Sequence, residues 1–335
     1  MADVARVAGV STATVSRCLN SPDRVIETTR EKVMTAVREL GYAPNFNARA
    51  LAAKHTNTIG AVIPTMENAI FARGIQAFQE ELHLHGITLL VASSQYQSEI
   101  EEEQIRTLVA RGADALLLIG YQRDERIFQF LETREVPALI AWAYDPASDQ
   151  RAIGFDNRAA MKELAEKVIQ SGHRQIAYIS ASQADNDRAR KRVEGVRDAM
   201  KERGLDPSSL DLVETDYSIE NGAEACSQLL QHQQRPTVIM CGNDVLAVGA
   251  IRAAQELGLS VPEDISVTGF DDIEIASVVN PPLTTVHVPH REMGREAARM
   301  LVSHVRGDGE FFSKKLETSL RLRSTLSPPA TSVNR

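Results

Sequence analysis

The chain has 335 residues, of which 43% are hydrophobic and 24% charged, and a formal net charge of −8. This length predicts a globular protein of two or three domains. No stretch approaches twenty apolar residues, and no basic segment followed by an apolar run opens the chain, so neither a membrane span nor a secretory leader is expected. Cys18, Cys226 and Cys241 show no metal-ligand spacing and predict reduced thiols in a cytoplasmic protein, with no metal site.

The first forty residues show the pattern of a compact three-helix unit. Two short amphipathic segments flank Gly9, and each repeats apolar residues at helical spacing: Val4, Ala5 and Ala8, then Val15, Cys18 and Leu19. Gly9 permits the positive φ of a sharp turn, and Ser11 is expected to cap the second helix. A capping box at Thr28 and Glu31 predicts the start of a third helix, which Gly41 ends.

The polar face of the second helix predicts DNA binding by a helix-turn-helix. Small or basic residues, namely Thr12, Ala13, Ser16 and Arg17, turn away from the apolar seam at the start of a helix, where a recognition helix contacts base edges. Charge supports this prediction, because residues 1–58 hold 8 Lys and Arg against 5 Asp and Glu, whereas the remainder holds 29 against 40. The helical pattern alone fits an ordinary small bundle equally well. Because a net charge of +3 is weakly basic, two copies in a dimer are expected to bind better than one.

From residue 59 onward, apolar runs alternate with segments of helical period. This alternation is typical of βαβ units, with helices on both faces of a parallel sheet, and it predicts two doubly wound sheets. The predicted strands are 59–63, 87–92, 115–119, 138–142, 176–180, 237–241 and 265–268, and the clearest helical segments are 71–85, 99–111, 157–171, 189–203 and 243–257.

Polar and aromatic residues follow the ends of the predicted strands. Ligands bind beyond the carboxyl ends of such strands, and two facing sheets form a cleft that can close on a small molecule. Paired donors and acceptors beside an aromatic face suit a polyhydroxylated ligand, and we expect Arg190 to lie opposite Asp271 across it. The residues at these ends are Glu67, Asn68, Phe71, Trp142, Arg188, Arg190, Arg192, Asn243, Asp244, Asp271 and Asp272, with Tyr217 as a further aromatic side chain.

Structural roles remain open for the same residues. Asn243 and Asp271 are also suited to capping helices, Phe71 to a hydrophobic core, and an arginine-rich loop to a solvated surface. The sequence contains no GxSxG elbow, P-loop, GxGxxG after the first strand, or HExxH, and no nucleophile or histidine accompanies Asp271 and Asp272. Neither an enzyme nor a cofactor is therefore expected.

In combination, these motifs resemble the lactose/galactose-repressor (LacI/GalR) family of bacterial transcription regulators, over nearly the full length. The motifs are DVARVAGVSTATVSRCLN near the start, TREKV and ELGYAPNFNARALAA after it, then IGAVIP (59–64), GHRQIAYIS (172–180), CGNDVLAVGA (241–250), ISVTGFDD (265–272) and NPPLTTV (280–286).

The resemblance implies an all-α helix-turn-helix head and an α/β periplasmic-binding-protein-like body of two doubly wound parallel-sheet subdomains. The head is expected over 1–43, a hinge helix and linker over 44–58, an effector-binding and dimerisation domain over 59–326, and a tail over 327–335. Within that domain, one subdomain is expected to comprise 59–153 with 288–316, and the other 154–287 with 317–326.

The resemblance also implies roles for individual residues in binding DNA. Leu51 matches a leucine that wedges between base pairs in the minor groove. Ala48 and Ala52 match small residues that allow two hinge helices to approach closely. A hinge helix this short would be barely helical in water by itself. The DNA-binding residues implied are Thr12, Ala13, Thr14, Ser16, Arg17, Asn20, Asn45, Asn47, Ala48, Leu51 and Ala52.

For the effector, Arg190 matches the arginine that grips the ligand throughout the family, and Asp271 matches its paired carboxylate. The effector-binding residues implied are Glu67, Phe71, Tyr121, Trp142, Arg190, Arg192, Tyr217, Asn243, Asp271 and His290. The sequence departs from the family where Trp142 replaces a polar residue, where Ile26 replaces a capping serine, and where only two residues precede Asp3.

The prediction is therefore a cytoplasmic homodimeric transcriptional regulator, a repressor, that binds double-stranded operator DNA and responds to a sugar, sugar acid or similar metabolite. No cofactor and no membrane partner is expected. The alternative is a periplasmic-type sugar-binding protein without DNA function, which a signal peptide and the absence of residues 3–54 would have indicated.

Overall fold

The computed structural model describes residues 1–20, 22–42 and 55–330, and the chain divides into two units, Met1–Thr56 and Asn57–Arg335. Five of the residues implied to bind DNA, namely Asn45, Asn47, Ala48, Leu51 and Ala52, lie outside the described residues. Within the described part of the chain, no helix is long and apolar enough to cross a membrane.

The first unit contains three helices, α1 (Ala2–Ala8), α2 (Thr12–Asn20) and α3 (Glu27–Glu39), with a 3₁₀ turn at Pro22–Arg24. The small core consists of Val4, Ala5, Val15, Cys18, Val33 and Ala36, with each helix contributing two residues. Gly9 ends α1 at a φ of 66°, and the Ser11 hydroxyl accepts a hydrogen bond from the Thr14 amide at 3.1 Å, as predicted for the turn and the cap.

The predicted capping box at the start of α3 is wrong. The helix begins at Glu27, its N-cap is Ile26, and no side chain caps it. Thr28 lies inside the first turn, two residues after the cap, so its hydroxyl is badly placed for that role. Glu27 places a negative charge in the first turn, where the helix dipole favours it.

The second unit contains two parallel sheets. The strands of the first sheet are β1 (Thr58–Ile63), β2 (Thr88–Ser93), β3 (Ala115–Ile119), β4 (Ala138–Ala141), β5 (Ala152–Gly154) and β11 (Lys314–Lys315); those of the second are β6 (Ile176–Ser180), β7 (Asp211–Glu214), β8 (Val238–Cys241) and β9 (Ser266–Thr268). The first sheet has the strand order β11-β5-β4-β3-β1-β2, and the second has the order β7-β6-β8-β9. A separate antiparallel pair, β10 (Thr285–His287) and β12 (Ser319–Arg321), lies where the chain passes between the sheets.

Each sheet carries its helices on both faces. Along β3, Leu117 packs into one apolar cluster while Leu116 and Leu118 pack into another, because successive side chains of a buried strand point to opposite faces. The first lobe is the first sheet with α4 (Ala69–Leu84), α5 (Ser98–Ala110), α6 (Glu125–Thr133) and α12 (His290–Arg306); the second lobe is the second sheet with α7 (Asn157–Gln170), α8 (Asp187–Glu202), α9 (Ile219–Leu230), α10 (Asp244–Glu256) and α11 (Ile275–Val278). The predicted fold class is confirmed.

Two helices of the first lobe meet through glycine. A Cβ atom added to Gly294 in α12 would collide with the backbone carbonyl of Gly74 in α4. Only glycine at this crossing lets the two backbones approach so closely, and α12 begins at His290, one turn before Gly294. The contact therefore fixes where His290 lies against the first lobe.

Candidate functional site

The exposed face of α2 is the polar face that the sequence predicted. Thr12, Ala13 and Arg17 are exposed, whereas Val15 and Cys18 are buried in the core of the head. Thr14 and Ser16 are half-buried, and Asn20 ends the helix. These positions place a small polar set and one arginine at the solvent-facing side of the helix, which is the arrangement a major-groove reader requires.

The second unit has a cavity of about 690 Å³ between its two lobes. Every group of lining residues follows the carboxyl end of a strand: β1 and β2 in the first lobe, and β6, β7 and β8 in the second. The lining residues are Thr65, Met66, Glu67, Asn68, Ser93, Gln95, Tyr96, Ala181, Ser182, Asp185, Asn186, Asp216, Tyr217 and Val245. The position agrees with the general location of ligands in open α/β sheets.

A smaller inner chamber of about 10 Å³ lies beside this cavity and shares Asn68, Tyr96, Asn186 and Tyr217 with it. Its volume is close to that of a single water oxygen. Its other walls are Ile70, Phe71, Trp142, Arg188, Arg192, Asn243 and Asp271. The inner chamber is therefore lined by one carboxylate, two guanidinium groups, three amides and four aromatic rings.

The three asparagines that line the inner chamber all cap helices. The side-chain oxygens of Asn68, Asn186 and Asn243 accept hydrogen bonds from backbone amides in the first turns of α4, α8 and α10. Capping uses the carbonyl oxygen, and the amide nitrogen is a separate donor. The capping alternative considered for Asn243 is therefore correct, and it is compatible with ligand binding.

Arg192 and Asp271 form the charged floor of the inner chamber. Both side chains are almost completely buried, at 5% and 2% exposure. The Arg192 Nε donates to Asn157 Oδ1 at 3.0 Å, another of its nitrogens donates to the Gly242 carbonyl, and the guanidinium lies 4.3 Å from the centre of the Phe270 ring. Burial raises the pKa of Asp271 to about 7, although the charge of Arg192 acts in the opposite direction.

The aromatic wall of the chamber is built around Trp142. Its backbone has a φ of 59°, its ring meets Phe71 edge-on at 5.4 Å, and its Nε1 donates to His290 Nδ1 at 3.1 Å. Burial lowers the pKa of His290 to about 3, so the imidazole is neutral near pH 7. His290 Nε2 lies 3.9 Å from Asp271 Oδ1.

Several contacts join the lobes beside the cavity. Arg188 donates to the Ile119 carbonyl at 3.1 Å, and the Tyr121 amide donates to Asp187 Oδ2 at 2.8 Å. Arg188 is also paired with Asp187 at 2.9 Å, so its charge is compensated within the protein. These contacts hold the loop after β3 against the first turn of α8.

The predicted pairing of Arg190 with Asp271 is wrong, because Arg192 holds that position. Arg190 donates instead to Gln122 Oε1 and to the Gln183 carbonyl, each at 2.9 Å. In a helix, residues four apart share a face, and a residue midway between them points to the opposite side. Since α8 starts at Asp187, Arg188 and Arg192 face the chamber together and Arg190 does not.

The structure brings most of the other predicted residues together. Six of them, Phe71, Trp142, Arg192, Tyr217, Asn243 and Asp271, line the inner chamber; Glu67 lines the outer cavity, and His290 lies behind Asp271. Tyr121 is not among the lining residues, because its hydroxyl accepts a hydrogen bond from the Asp145 amide at 3.1 Å and so points along the first lobe.

Of the four residues that line both the outer cavity and the inner chamber, Tyr96 and Asn186 were not predicted. Both follow strands, Tyr96 after β2 and Asn186 after β6, directly before α8. The sequence signal was present for Asn186, since an asparagine one residue before a helix is a common N-cap. Tyr96 had no comparable signal.

Comparisons with known proteins agree with this architecture. Residues 1–45 match the family described as bacterial regulatory proteins, lacI family, and residues 165–326 match the periplasmic binding protein-like domain. The ribose operon repressor of Escherichia coli (strain K12) is 37% identical over 311 residues, covering 91% of this chain and 92% of that protein. The transcriptional repressor PurR of Vibrio vulnificus (strain CMCP6) is 35% identical over 306 residues, covering 91% of each.

Solved structures give the same result. The lac repressor dimer bound to operator and an anti-inducer superposes with a TM-score of 0.86 at 30% identity, covering 97% of this chain and 98% of that chain. A lacI family regulator from Silicibacter pomeroyi has a TM-score of 0.89 at 25% identity, with the same coverage. The chain therefore belongs to the lacI family of bacterial regulatory proteins and is a DNA-binding transcriptional regulator, as its motifs predicted.

Proposed function

We propose that this regulator is a homodimeric repressor whose affinity for operator DNA is set by a small, uncharged, polyhydroxylated molecule bound between the two lobes. The observation that carries the proposal is the floor of the cleft, where buried Arg192 and Asp271 lie beside the amides of Asn68 and Asn243. Such a set offers fixed donors and one acceptor to hydroxyl groups, with aromatic rings for the C–H faces of a sugar.

The charges favour a neutral ligand over a sugar acid. Among the described residues that line the outer cavity, three are acidic, Glu67, Asp185 and Asp216, and none is basic. Inside, the charge of Arg188 is compensated by Asp187 and that of Arg192 faces Asp271. An anion would therefore meet carboxylates at the entrance, and each cation at the floor already has an aspartate beside it.

The named relatives support a sugar in this cleft. The relative with 37% identity is named for the ribose operon, and a solved cellobiose complex of the regulator CelR is similar to this chain, with a TM-score of 0.71 at 28% identity. The lac repressor structure at 30% identity is described as a dimer bound to operator, which supports a dimeric DNA-bound state here. A sugar-binding protein without DNA function is excluded by the lacI-type head.

For DNA, we propose that α2 reads the major groove through Thr12, Ala13 and Arg17, with Thr14, Ser16 and Asn20 beside them. The exposure of Thr12, Ala13 and Arg17 on α2 supports this assignment. The minor-groove roles implied for Leu51 and its neighbours stay predictions. Effector and operator are then linked reciprocally: whatever weakens DNA binding must itself bind less tightly to the DNA-bound form. The protein would act in the cytoplasm, and no catalytic role is proposed.

A thermal-shift panel that compares neutral sugars with their charged derivatives tests this function. The panel comprises D-ribose, D-xylose, D-glucose and D-galactose, each with its aldonate, and D-ribose 5-phosphate and D-glucose 6-phosphate. We expect at least one neutral sugar to stabilise the protein saturably and to change operator affinity at fixed salt, while its aldonate binds at least about tenfold more weakly. An aldonate or phosphate that binds more tightly than its neutral parent would refute the neutral-ligand proposal, and no response to any sugar would refute a sugar effector.

A further inference from the structure

Two buried polar atoms face each other across the boundary between the lobes. In the part of the chain that the structure describes, neither Asp271 Oδ1 nor His290 Nε2 has a hydrogen-bond partner, and the two atoms lie 3.9 Å apart. The backbone of Asp271 also faces the imidazole and acts to raise the pKa of His290, against the larger effect of burial. Leaving a buried polar group unpaired is unfavourable, so a small displacement that pairs these atoms would be stabilising.

The two residues belong to different lobes. His290 begins α12, which packs on α4 of the first lobe, whereas Asp271 follows β9 of the second. The segment just before His290 is bonded to the backbone of Asp271 through Val286 and Val288, so the two side chains stay close to each other. The distance between their unpaired atoms is then set by how α12 turns, with the first lobe, relative to that segment. A decrease of about 1 Å would bring 3.9 Å to ordinary hydrogen-bond length.

Trp142 determines which ring nitrogen of His290 carries the proton. The indole Nε1–H can only donate, so the His290 Nδ1 that receives it at 3.1 Å must be the unprotonated nitrogen. A neutral imidazole then carries its proton on Nε2, the atom that faces Asp271. Trp142 and Asp271 both line the inner chamber. Both ends of this chain of groups therefore border the proposed ligand site.

We infer that Trp142, His290 and Asp271 form a hydrogen-bond relay between the lobes, and that its last link, from His290 Nε2–H to Asp271 Oδ1, closes when the lobes close on the effector. This inference rests on the proposed function. In the closed relay, Oδ1 is occupied by His290 and the second carboxylate oxygen accepts from a hydroxyl of the effector. His290 and Trp142 are positioning residues that favour ligands able to donate a hydrogen bond to Asp271.

The first link is tested without any ligand. The ¹⁵N chemical shifts of the His290 ring, assigned by comparison with His290→Gln, should show an unprotonated Nδ1 and a protonated Nε2 in the wild-type protein. Trp142→Phe keeps an aromatic ring but removes the donor, and should produce a mixture of both tautomers. A wild-type ring protonated on Nδ1 would overturn the relay.

The second link is tested with whichever neutral sugar of the panel gives the largest thermal shift. Only variants that still bind operator DNA, and are therefore folded, are titrated. His290→Leu removes the donor and should weaken sugar binding at least about tenfold, which corresponds to one lost hydrogen bond to a charged group. His290→Gln restores an N–H of similar reach and should recover most of the affinity, and the exposed His83→Leu serves as the matched control.

Equal losses for His290→Leu and His290→Gln would indicate a packing role and overturn the relay, as would wild-type affinity in His290→Leu. A wild-type protein that binds none of the sugars would refute the sugar effector and with it the closing of the last link. The tautomer measurement distinguishes that failure from a failure of the relay, because it needs no ligand.

Discussion

Replacing Arg192 with alanine should disable the floor of the cleft. The side chain donates to Asn157 and Gly242, contacts the face of Phe270, and is the cation opposite buried Asp271. Arg192 acts on Asp271 through its charge, while its hydrogen bonds go to Asn157 and Gly242, and removing one member of a buried charge pair costs about 3–5 kcal/mol. The lower end applies here, because a carboxyl with a pKa of about 7 can take up a proton at little cost once the cation is gone.

This loss has two measurable consequences. A destabilisation of about 3 kcal/mol, at about 2 °C per kcal/mol for a body of this size, predicts a decrease in Tm of roughly 6 °C. A protonated Asp271 becomes a donor on one oxygen and keeps only a neutral acceptor on the other, so its hydrogen bond to the effector is weakened. Together with the lost guanidinium, this predicts a decrease in sugar affinity of at least about 100-fold.

Calorimetric unfolding and isothermal titration with the best neutral sugar of the panel measure both effects. Arg190→Ala is the matched control, since Arg190 is half-buried, lies two residues away on the opposite side of α8, and bonds only to Gln122 and Gln183 among the described residues. We expect it to change sugar affinity by less than about tenfold. Wild-type sugar affinity in Arg192→Ala, or a larger loss in Arg190→Ala, would show that the charged floor is assigned to the wrong arginine.

Three further predictions concern the head, the helix crossing and the pH dependence. Arg17→Ala should weaken operator binding by about 1–3 kcal/mol in a titration at fixed salt while sparing sugar binding. Gly294→Ala should destabilise the body by about 1–3 kcal/mol in urea unfolding, because overpacking against the backbone of α4 exceeds the gain of about 1 kcal/mol in helix propensity. Between about pH 4 and pH 6.5, Asp271→Asn should become more stable relative to wild type as the pH rises, and His290→Gln less stable, by up to about 1.4 kcal/mol per pH unit.

The signs of the pH prediction follow from the two pKa values. Native Asp271 keeps its proton up to about pH 7 while the unfolded chain loses it near 3.8, so its contribution to stability falls as the pH rises through that interval. Native His290 stays neutral down to about pH 3 while the unfolded chain binds a proton below 6.5, so its contribution rises with pH. In the wild type the two nearly cancel, although Arg192 acts on both groups, and His287 and Arg73 act on His290. Parallel pH profiles for both variants would contradict this account.

Matched controls sharpen the other two predictions. Arg38 is exposed on α3, so Arg38→Ala should affect operator binding less than Arg17→Ala does. Equal losses would indicate that the charge of the head acts without regard to position. For Gly294, an increase in stability would show that the backbones separate at no cost, and only the helix propensity of alanine would then be measured.

Elements with strong periodicity were predictable from the sequence. The strands β1, β3 and β6 are mostly apolar and buried at every residue, so their apolar runs gave the correct strands to within one residue. Three other strands of the sheets were missed for physical reasons: β5 has only three residues, β11 has only two, and β7, at an edge, is partly exposed along its length. None of them shows an apolar run long enough to stand out.

The cleft was predictable in composition but not in detail. The rule that ligands bind beyond strand ends identified Asn243 and Asp271, since it needs only the strand and the residue after it. The choice between Arg190 and Arg192 depended on which face of α8 is turned toward the chamber, because two residues of helix turn a side chain to the other face. The bond from Trp142 to His290 joins residues 148 apart in the chain, and no local pattern relates them.

The asparagine caps constrain how this protein could acquire a new ligand. Asn68, Asn186 and Asn243 each hold the start of a helix by the same side chain that borders the chamber. Replacing any of them with an apolar residue would remove a cap, at about 1 kcal/mol, as well as a donor. Aspartate, serine and threonine also carry an oxygen that can cap the helix, and each changes the polarity presented to a ligand. We therefore expect changes of ligand specificity at these three positions, in natural variants and in laboratory evolution, to exchange asparagine for aspartate, serine or threonine before residues of the aromatic wall are replaced.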